Sequence, residues 1–399
     1  MSHDSENLNR FNVIRNRKIN KTDKFIEIYG ISSQRASEVV PRQQEWLWQN
    51  YIPLKTCTLF AGAGGIGKSQ LLLYFAALVS MGNDFRICGQ NFSIQKGSVI
   101  ILTAEDSLSS SVVPRLRAVD ADLTKIHFFK STIHITATMN EQTGESHNPT
   151  GSDRFIALDR DIHVIEDEIK KIGDVKLIII DPITAYLGNI RDNKLTEIRD
   201  FILKLNRLAD DNNLSIILNT HLRKKGSGQN AGSAADEVMG SSAWTSTVRQ
   251  AFIICPHHDD KSLVQFINFK INCGKAPQAF AYKIVPQTVI FRGTNGAETV
   301  IDTSRIEWNA TKVSMSADEA VNEVSYERRK ESKGIDFIID YLTENGQSRA
   351  QQVYDEAMAY GIGRSTFFRA RTALIEEQKR ITVTKGIRSK MWQLRDEAL

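Results

Sequence analysis

The sequence predicts an α/β protein: a parallel sheet wrapped by helices, extended by antiparallel strands and followed by a small carboxy-terminal module. Apolar runs of strand length, Thr56 to Ala61, Ser98 to Leu102, Lys176 to Ile180 and Leu214 to Leu218, are continuous rather than alternating, the pattern of strands buried on both faces. Between them apolar residues return at helical spacing, as in Leu158, Ile162, Ile165, Ile169 and Ile172, or Leu195, Ile198, Ile202 and Leu205. Strand and helix therefore alternate, as in parallel sheets with right-handed crossovers. A glycine-rich stretch joins the first strand to the first helix.

A chain of 399 residues is long enough for one large domain and a small one. With 51 basic against 47 acidic residues the net charge is +4, so any surface for a polyanion has to be local. Cys57, Cys88, Cys255 and Cys273 stand far apart without a C-x-x-C pair, which leads us to expect a reducing, cytoplasmic setting. No apolar run reaches the roughly 18 residues of a membrane span, and the polar amino terminus lacks a signal-peptide core, so no membrane partner is expected.

Residues 1–40 are rich in Asn, Ser, Lys and Arg and read as a flexible basic arm. Its run Arg15, Arg17, Lys18, Lys21 and Lys24 has two readings, a nucleic-acid contact or a solvated tail. Next comes Gly62-Ala63-Gly64-Gly65-Ile66-Gly67-Lys68-Ser69, with Gln70 inside the helix that follows, a fit to G-x-x-x-x-G-K-[ST]. Such glycines let backbone N–H groups turn inward around phosphates, and the helix start adds its positive end. Lys68 is expected to reach the β- and γ-phosphate oxygens of ATP, and Ser69 to offer its hydroxyl to Mg2+. The aromatics before the loop, Trp46, Trp48 and Tyr51, either flank the nucleotide base or close an apolar lid over the core.

The first helix is expected to end near Gly82. The strand Ser98 to Leu102 runs into Thr103-Ala104-Glu105-Asp106, and Lys176 to Ile180 ends in Asp181, a candidate Mg2+ ligand. Residue 182 is proline and not glutamate, so the group that orients the attacking water must come from elsewhere. Ligands gather at the carboxyl ends of parallel strands, which makes Glu105 the candidate base; its other reading is a capping acid ahead of a helix over Ser109 to Val119. Residues 137–153 read as an exposed loop. The strand Leu214 to Leu218 ends in Asn219-Thr220-His221, and Arg223, Lys224 and Lys225 then root a glycine-rich loop that is either functional or an idle linker. Gly240 to Trp244 opens a short helix carrying Arg249, after which Ala251 to Ile254, Val264 to Phe269, Phe280 to Ile284 and Val289 to Phe291 read as antiparallel extensions of the sheet.

Residues 306–334 read as a charged linker and 335–399 as a winged helix-turn-helix, in which Arg364, Arg369, Arg371, Lys385, Arg388 and Lys390 suit phosphate contact. Similar modules also dock proteins, and both readings stand.

The ordered set of phosphate loop, Thr-Ala-Glu-Asp strand end, single-acid strand, Asn-Thr-His and Gly-Ser-Ser-Ala-Trp before Arg249 resembles the RecA-like ATPases of the plasmid RepA helicase type, more distantly related to DnaB. The resemblance implies a RecA-like P-loop NTPase core over residues 41–305, Glu105 as catalytic base and His221 as sensor of the γ-phosphate. It also implies a homo-hexameric ring whose channel binds single-stranded DNA through Arg223, Lys224 and Lys225. An initiator or primase protein is the further partner such a ring would meet. The Lys-x-Arg finger pair of DnaB-type helicases reads Lys270-Ile271-Asn272 here, which leaves Arg249 as the finger, assisted by Lys270. Arg249 is expected beyond the phosphate-binding edge of its own sheet, reaching the neighbouring subunit; its other reading is a structural ion pair. The resulting expectation is a Mg2+-dependent ATPase that moves on single-stranded DNA or unwinds duplex in the replication of a plasmid, phage or integrated element. The alternative is an ATP-dependent DNA-binding regulator that uses the loop as a switch.

Overall fold

The computed structural model describes residues 35–139, 146–222, 233–238, 242–257, 259–292, 298–310, 312–385 and 390–395. The chain divides into Met1–Gln44 and Glu45–Leu399. In the first unit, Ala36–Glu38 makes one 3-10 turn, and most of the expected basic arm lies outside the described residues.

The second unit is built on a nine-stranded sheet. Strands β1 (Thr56–Gly62), β2 (Ser98–Thr103), β3 (Ile126–Phe128), β4 (Val175–Asp181), β5 (Ser215–His221) and β6 (Gln250–Pro256) run parallel in the spatial order β6-β1-β5-β4-β2-β3. Strands β7 (Leu263–Ile271), β8 (Phe280–Arg292) and β9 (Glu298–Trp308) continue it antiparallel beyond β6. The continuous apolar runs follow from this architecture, because successive side chains enter two different cores. Phe60, Val99, Ile101 and Ile179 pack on one face with α1 (Lys68–Met81) and α2 (Val113–Ala118). Leu59, Ala61, Ile100, Leu102, Ile178 and Ile180 pack on the other with α3 (Leu158–Ile172), α4 (Leu195–Asp211) and α5 (Ala243–Thr247). Each of these Phe, Val, Leu and Ile side chains contributes about 1.5–3 kcal/mol on burial, so a polar residue would be costly in the middle of these strands.

Of the aromatics ahead of the loop, Trp48 and Tyr51 belong to the first core. Trp48 stacks on Tyr51 at 3.8 Å, and Tyr51 in turn stacks near Phe252, Phe266 and Phe280. Trp48 and Tyr51 are buried, so the apolar-lid reading holds for them.

Several local expectations change. The described residues of the segment expected to be a loop, 137–139 and 146–153, instead belong to an antiparallel ribbon in which Ser131–Met139 pairs with Ser146–Phe155; the β-branched Thr132, Ile133, Ile135, Thr136 and Thr138 of its first strand favour extended backbone. β8 is a single strand through Pro286 where the sequence predicts two, and β9 is a strand that the sequence pattern does not predict. Only Phe280–Lys283 of β8 pairs with β7, so further along Pro286 meets β9 on one side alone, and its missing N–H costs the ladder little. The helix α5 ends at Thr247, so Arg249 lies past it in the bend before β6.

From Ala317 the expected charged linker is instead the start of α6 (Ala317–Asn345), opened by a capping box between Ser316 and Glu319. Ala317, Ala320 and Val321 pack against Ile253, Leu263 and Ala281 of the sheet, while Ile338 and Leu342 enter a separate carboxy-terminal core. At 29 residues this helix spans roughly 43 Å and serves as one continuous strut between the two. That second core is completed by β10 (Ser348–Arg349), α7 (Ala350–Ala359), α8 (Arg364–Thr372), β11 (Ile381–Lys385) and β12 (Lys390–Leu394), the strands ordered β10-β12-β11. Gly334 lets α6 approach α8 closely, since a Cβ there would lie 2.9 Å from that of Ala370.

Candidate active site

β1 delivers the chain to Gly62, and α1 starts soon after, at Lys68. Gly67 is the N-cap of α1 in the left-handed region (φ 92°), and no side chain caps this end. The first N–H groups of α1 are thus left for an anion, with the positive end of the helix behind them. A Cβ on Gly62 would lie 2.5 Å from the Ile254 carbonyl oxygen, so only glycine lets the loop pass β6 at this point. Around Gly64 and Gly65 a Cβ would meet nothing within 4 Å, which leaves that side open. These are the features of a cradle for phosphate.

Lys68 is 5% exposed, and its Nζ donates to the carbonyl oxygens of Gly62 (3.0 Å) and Ala63 (2.8 Å). Burial holds its pKa below the ordinary lysine value, opposed by the charges of Asp181 and Glu105. Both carboxylates therefore lie close enough to act on this ammonium.

The strand ends explain how they arrive there. In the sheet His221 pairs with Gly62, Asp181 with Thr103, and Ile180 with Leu218, so Asp181 stands beside Asn219 and the ends of β1 and β5 reach about two residues beyond those of β4 and β2. Asp181 is 9% exposed, and the Asn219 amide donates to its Oδ1 at 2.5 Å, which fixes the carboxylate. Ser69, Thr103, Asp106 and Asp181 line one narrow cleft over Leu72, Ile101 and Ile179. A hydroxyl and a held carboxylate are hard oxygen donors suited to Mg2+, which takes its remaining ligands from water and phosphate; among the described residues no cluster of three or more His, Cys, Asp or Glu forms a closed metal cage. Asp106 is tied to Arg115 at 2.8 Å. Glu105 is free of that restraint: its side chain is 67% exposed, with Oε1 3.9 Å from Nε2 of His221.

Lys68, Ser69, Glu105, Asp181 and His221 thus converge on one edge, and Arg249 does not. Gln250 pairs with Thr58 at the start of the shared register and Ile254 with Gly62 at its end, so Arg249 lies at the opposite, amino end of the strands, roughly 16 Å along them from the loop. This corrects the expected placement beyond the phosphate-binding edge. Arg249 is exposed and makes no ion pair among the described residues. Lys270 donates to the carbonyl oxygens of Thr245 (2.6 Å) and Ser246 (2.8 Å), closing the end of α5. Arg223, Lys224 and Lys225 lie outside the described residues.

Contacts from the far end of the chain complete the loop's surroundings. Gln70 donates to Oγ of Ser304 on β9 at 2.5 Å, the Tyr282 hydroxyl to the Gly67 carbonyl at 3.3 Å, and Ile284 packs over Gly67. In sequence the only hint of these contacts is that Gln70, a polar residue, stands among the apolar positions of α1.

No helix among the described residues is long and apolar enough to cross a membrane. Compared with curated proteins, the chain finds no match. Residues 30–227, which take in the loop, Glu105, Asp181 and His221, match the family model of the AAA domain, AAA_25. With the glycine loop and the carboxylates at and just past the strand ends described above, this match means that the chain carries a P-loop ATPase domain of the AAA_25 family.

Proposed function

We propose that this ATPase hydrolyses ATP with Mg2+ and uses the energy to move along single-stranded DNA, as a replicative helicase of the RepA type does. The observation that carries the reading is the meeting of Lys68, Ser69, Asp181, Glu105 and His221 at one sheet edge, with Arg223, Lys224 and Lys225 following closely on His221 in sequence. The uncapped start of α1 and Lys68 hold the phosphates, and Lys68 stabilises charge developing on the transferred phosphoryl group. Ser69 and Asp181 hold the magnesium ion, whose chemistry is to neutralise phosphate charge. Glu105, exposed and unrestrained by Arg115, orients the attacking water, and His221 links the state of that carboxylate to the basic segment behind it. Arg249, on the opposite edge, serves a neighbouring subunit in a ring.

The test is ATP turnover with and without single-stranded DNA, together with strand displacement. Stimulated turnover and displaced strand are expected; turnover indifferent to DNA would replace the helicase with an ATP-dependent regulator. Removing the charges of Lys224 and Lys225 should lower the slope of log affinity against log salt by roughly 0.7 for each phosphate no longer engaged, while ATP affinity holds.

A further inference from the structure

We propose that the carboxy-terminal module holds a second nucleic-acid site, a pocket that takes an unpaired base between flanking phosphates. α7, α8 and β12 line an open pocket of about 430 Å³, within the roughly 300–1,000 Å³ of small-ligand sites. Arg364, Phe367, Phe368 and Arg371 lie on one face of α8 at helical spacing and line it, with Tyr354 from α7 and Trp392 and Lys390 from β12. The lining carries three cations and no carboxylate, and among the described residues none of these cations has an ion-pair partner.

Its floor is aromatic. Trp392 stacks on buried Phe367 at 5.8 Å with the rings 14° apart, and Tyr354 packs on Phe367 at 5.2 Å. Phe368 is 41% exposed at the rim, with the Arg364 guanidinium 5.8 Å from its ring centre. A helix that reads duplex bases in the major groove needs side chains that hydrogen-bond base edges from a convex surface. This face is concave and offers an exposed ring at its rim, an aromatic floor and cations around it, the combination that stacks an unpaired base and tracks its backbone. The site is separate from the ATPase edge and does not depend on the function proposed above.

The experiment uses the full chain without nucleotide and an oligothymidylate bearing one 5-iododeoxyuridine. Ultraviolet crosslinking followed by mass spectrometry should place the adduct on the peptides carrying Phe368, Tyr354 or Trp392. Phe368→Ala should weaken single-stranded binding at least about five-fold, the scale of one base stack removed, with a smaller change for duplex of the same length. Arg371→Gln, which keeps the stacking floor, should flatten the salt dependence of single-stranded binding. Circular dichroism checks that each variant folds. Equal weakening for duplex and single strand would make the face a groove reader and overturn the proposal. So would unchanged binding to both, or weakening confined to a phosphorylated or acidic peptide, which would mark a protein-docking pocket.

Discussion

Along β1, β2, β4 and β5 almost every residue is buried, and the site residues Asp181, Asn219 and His221 stand at the carboxyl ends; along β8 burial alternates after Tyr282, with Ile290 and its β9 partner Val300 left 60% and 65% exposed. The two regions touch the same loop in different ways. The parallel strands bring Asp181 and Glu105 up to Lys68, and His221 up to Glu105. The hairpin of β8 and β9 brings Tyr282, Ile284 and Ser304, none of them charged, against Gly67 and Gln70. Chemistry enters from strand ends held in a doubly covered sheet, while the shape of the loop is held from a flank covered on fewer sides.

If that division is right, changes at the two regions differ in kind. The largest effect belongs to the charged groups. Lys68→Ala and Arg249→Ala chains should each be inactive, with turnover reduced on the order of 1000-fold, and should recover part of the activity when assembled together, because some interfaces then pair an intact loop with an intact arginine. Failure to recover in demonstrably mixed assemblies would remove the shared site. Gly67→Ala should act on shape: a left-handed backbone is strained for alanine by roughly 1–3 kcal/mol, so ATP affinity should fall about ten-fold. Adding Ile284→Ala relieves the 2.3 Å approach to the new Cβ but not the backbone strain, and should restore only a minor part. Full restoration would mean that the hairpin, and not the loop's own backbone, sets the geometry. Smallest of the three, Ser304→Ala should cost about 1 kcal/mol of stability by depriving buried Gln70 of its partner, read by chemical denaturation, and leave turnover at saturating ATP nearly unchanged.

The same division governs what can be read from sequence. β1, β2, β4 and β5 are legible because burial on both faces demands continuous apolar residues, and Glu105, Asp181 and His221 are legible because they stand where those runs stop. β9 is not, since a strand with one open face tolerates Asp302, Thr303, Ser304 and Arg305 in its middle. Gln70 and Ser304 are 234 residues apart, and no local pattern encodes such a pair. Arg249 is hard to place because its position hangs on where a five-residue helix ends, and short helices leave no periodicity from which to find the end. Within the expected linker, 306–334, the charges of residues 325–334 hide a helix whose buried apolar residues lie on either side of them, Ala320 and Val321 before and Ile338 and Leu342 after.

At the centre of the account is a single ATPase site in which an exposed glutamate at the end of β2, and no second acid on β4, orients the water. Glu105→Gln keeps the size of the side chain and the neighbouring Asp106–Arg115 pair while removing the basic carboxylate. Measured side by side, nucleotide affinity of this variant should match that of the parent, while single-turnover hydrolysis falls by roughly 100-fold or more. Hydrolysis at the parent rate would show that Glu105 is not the base and contradict the account.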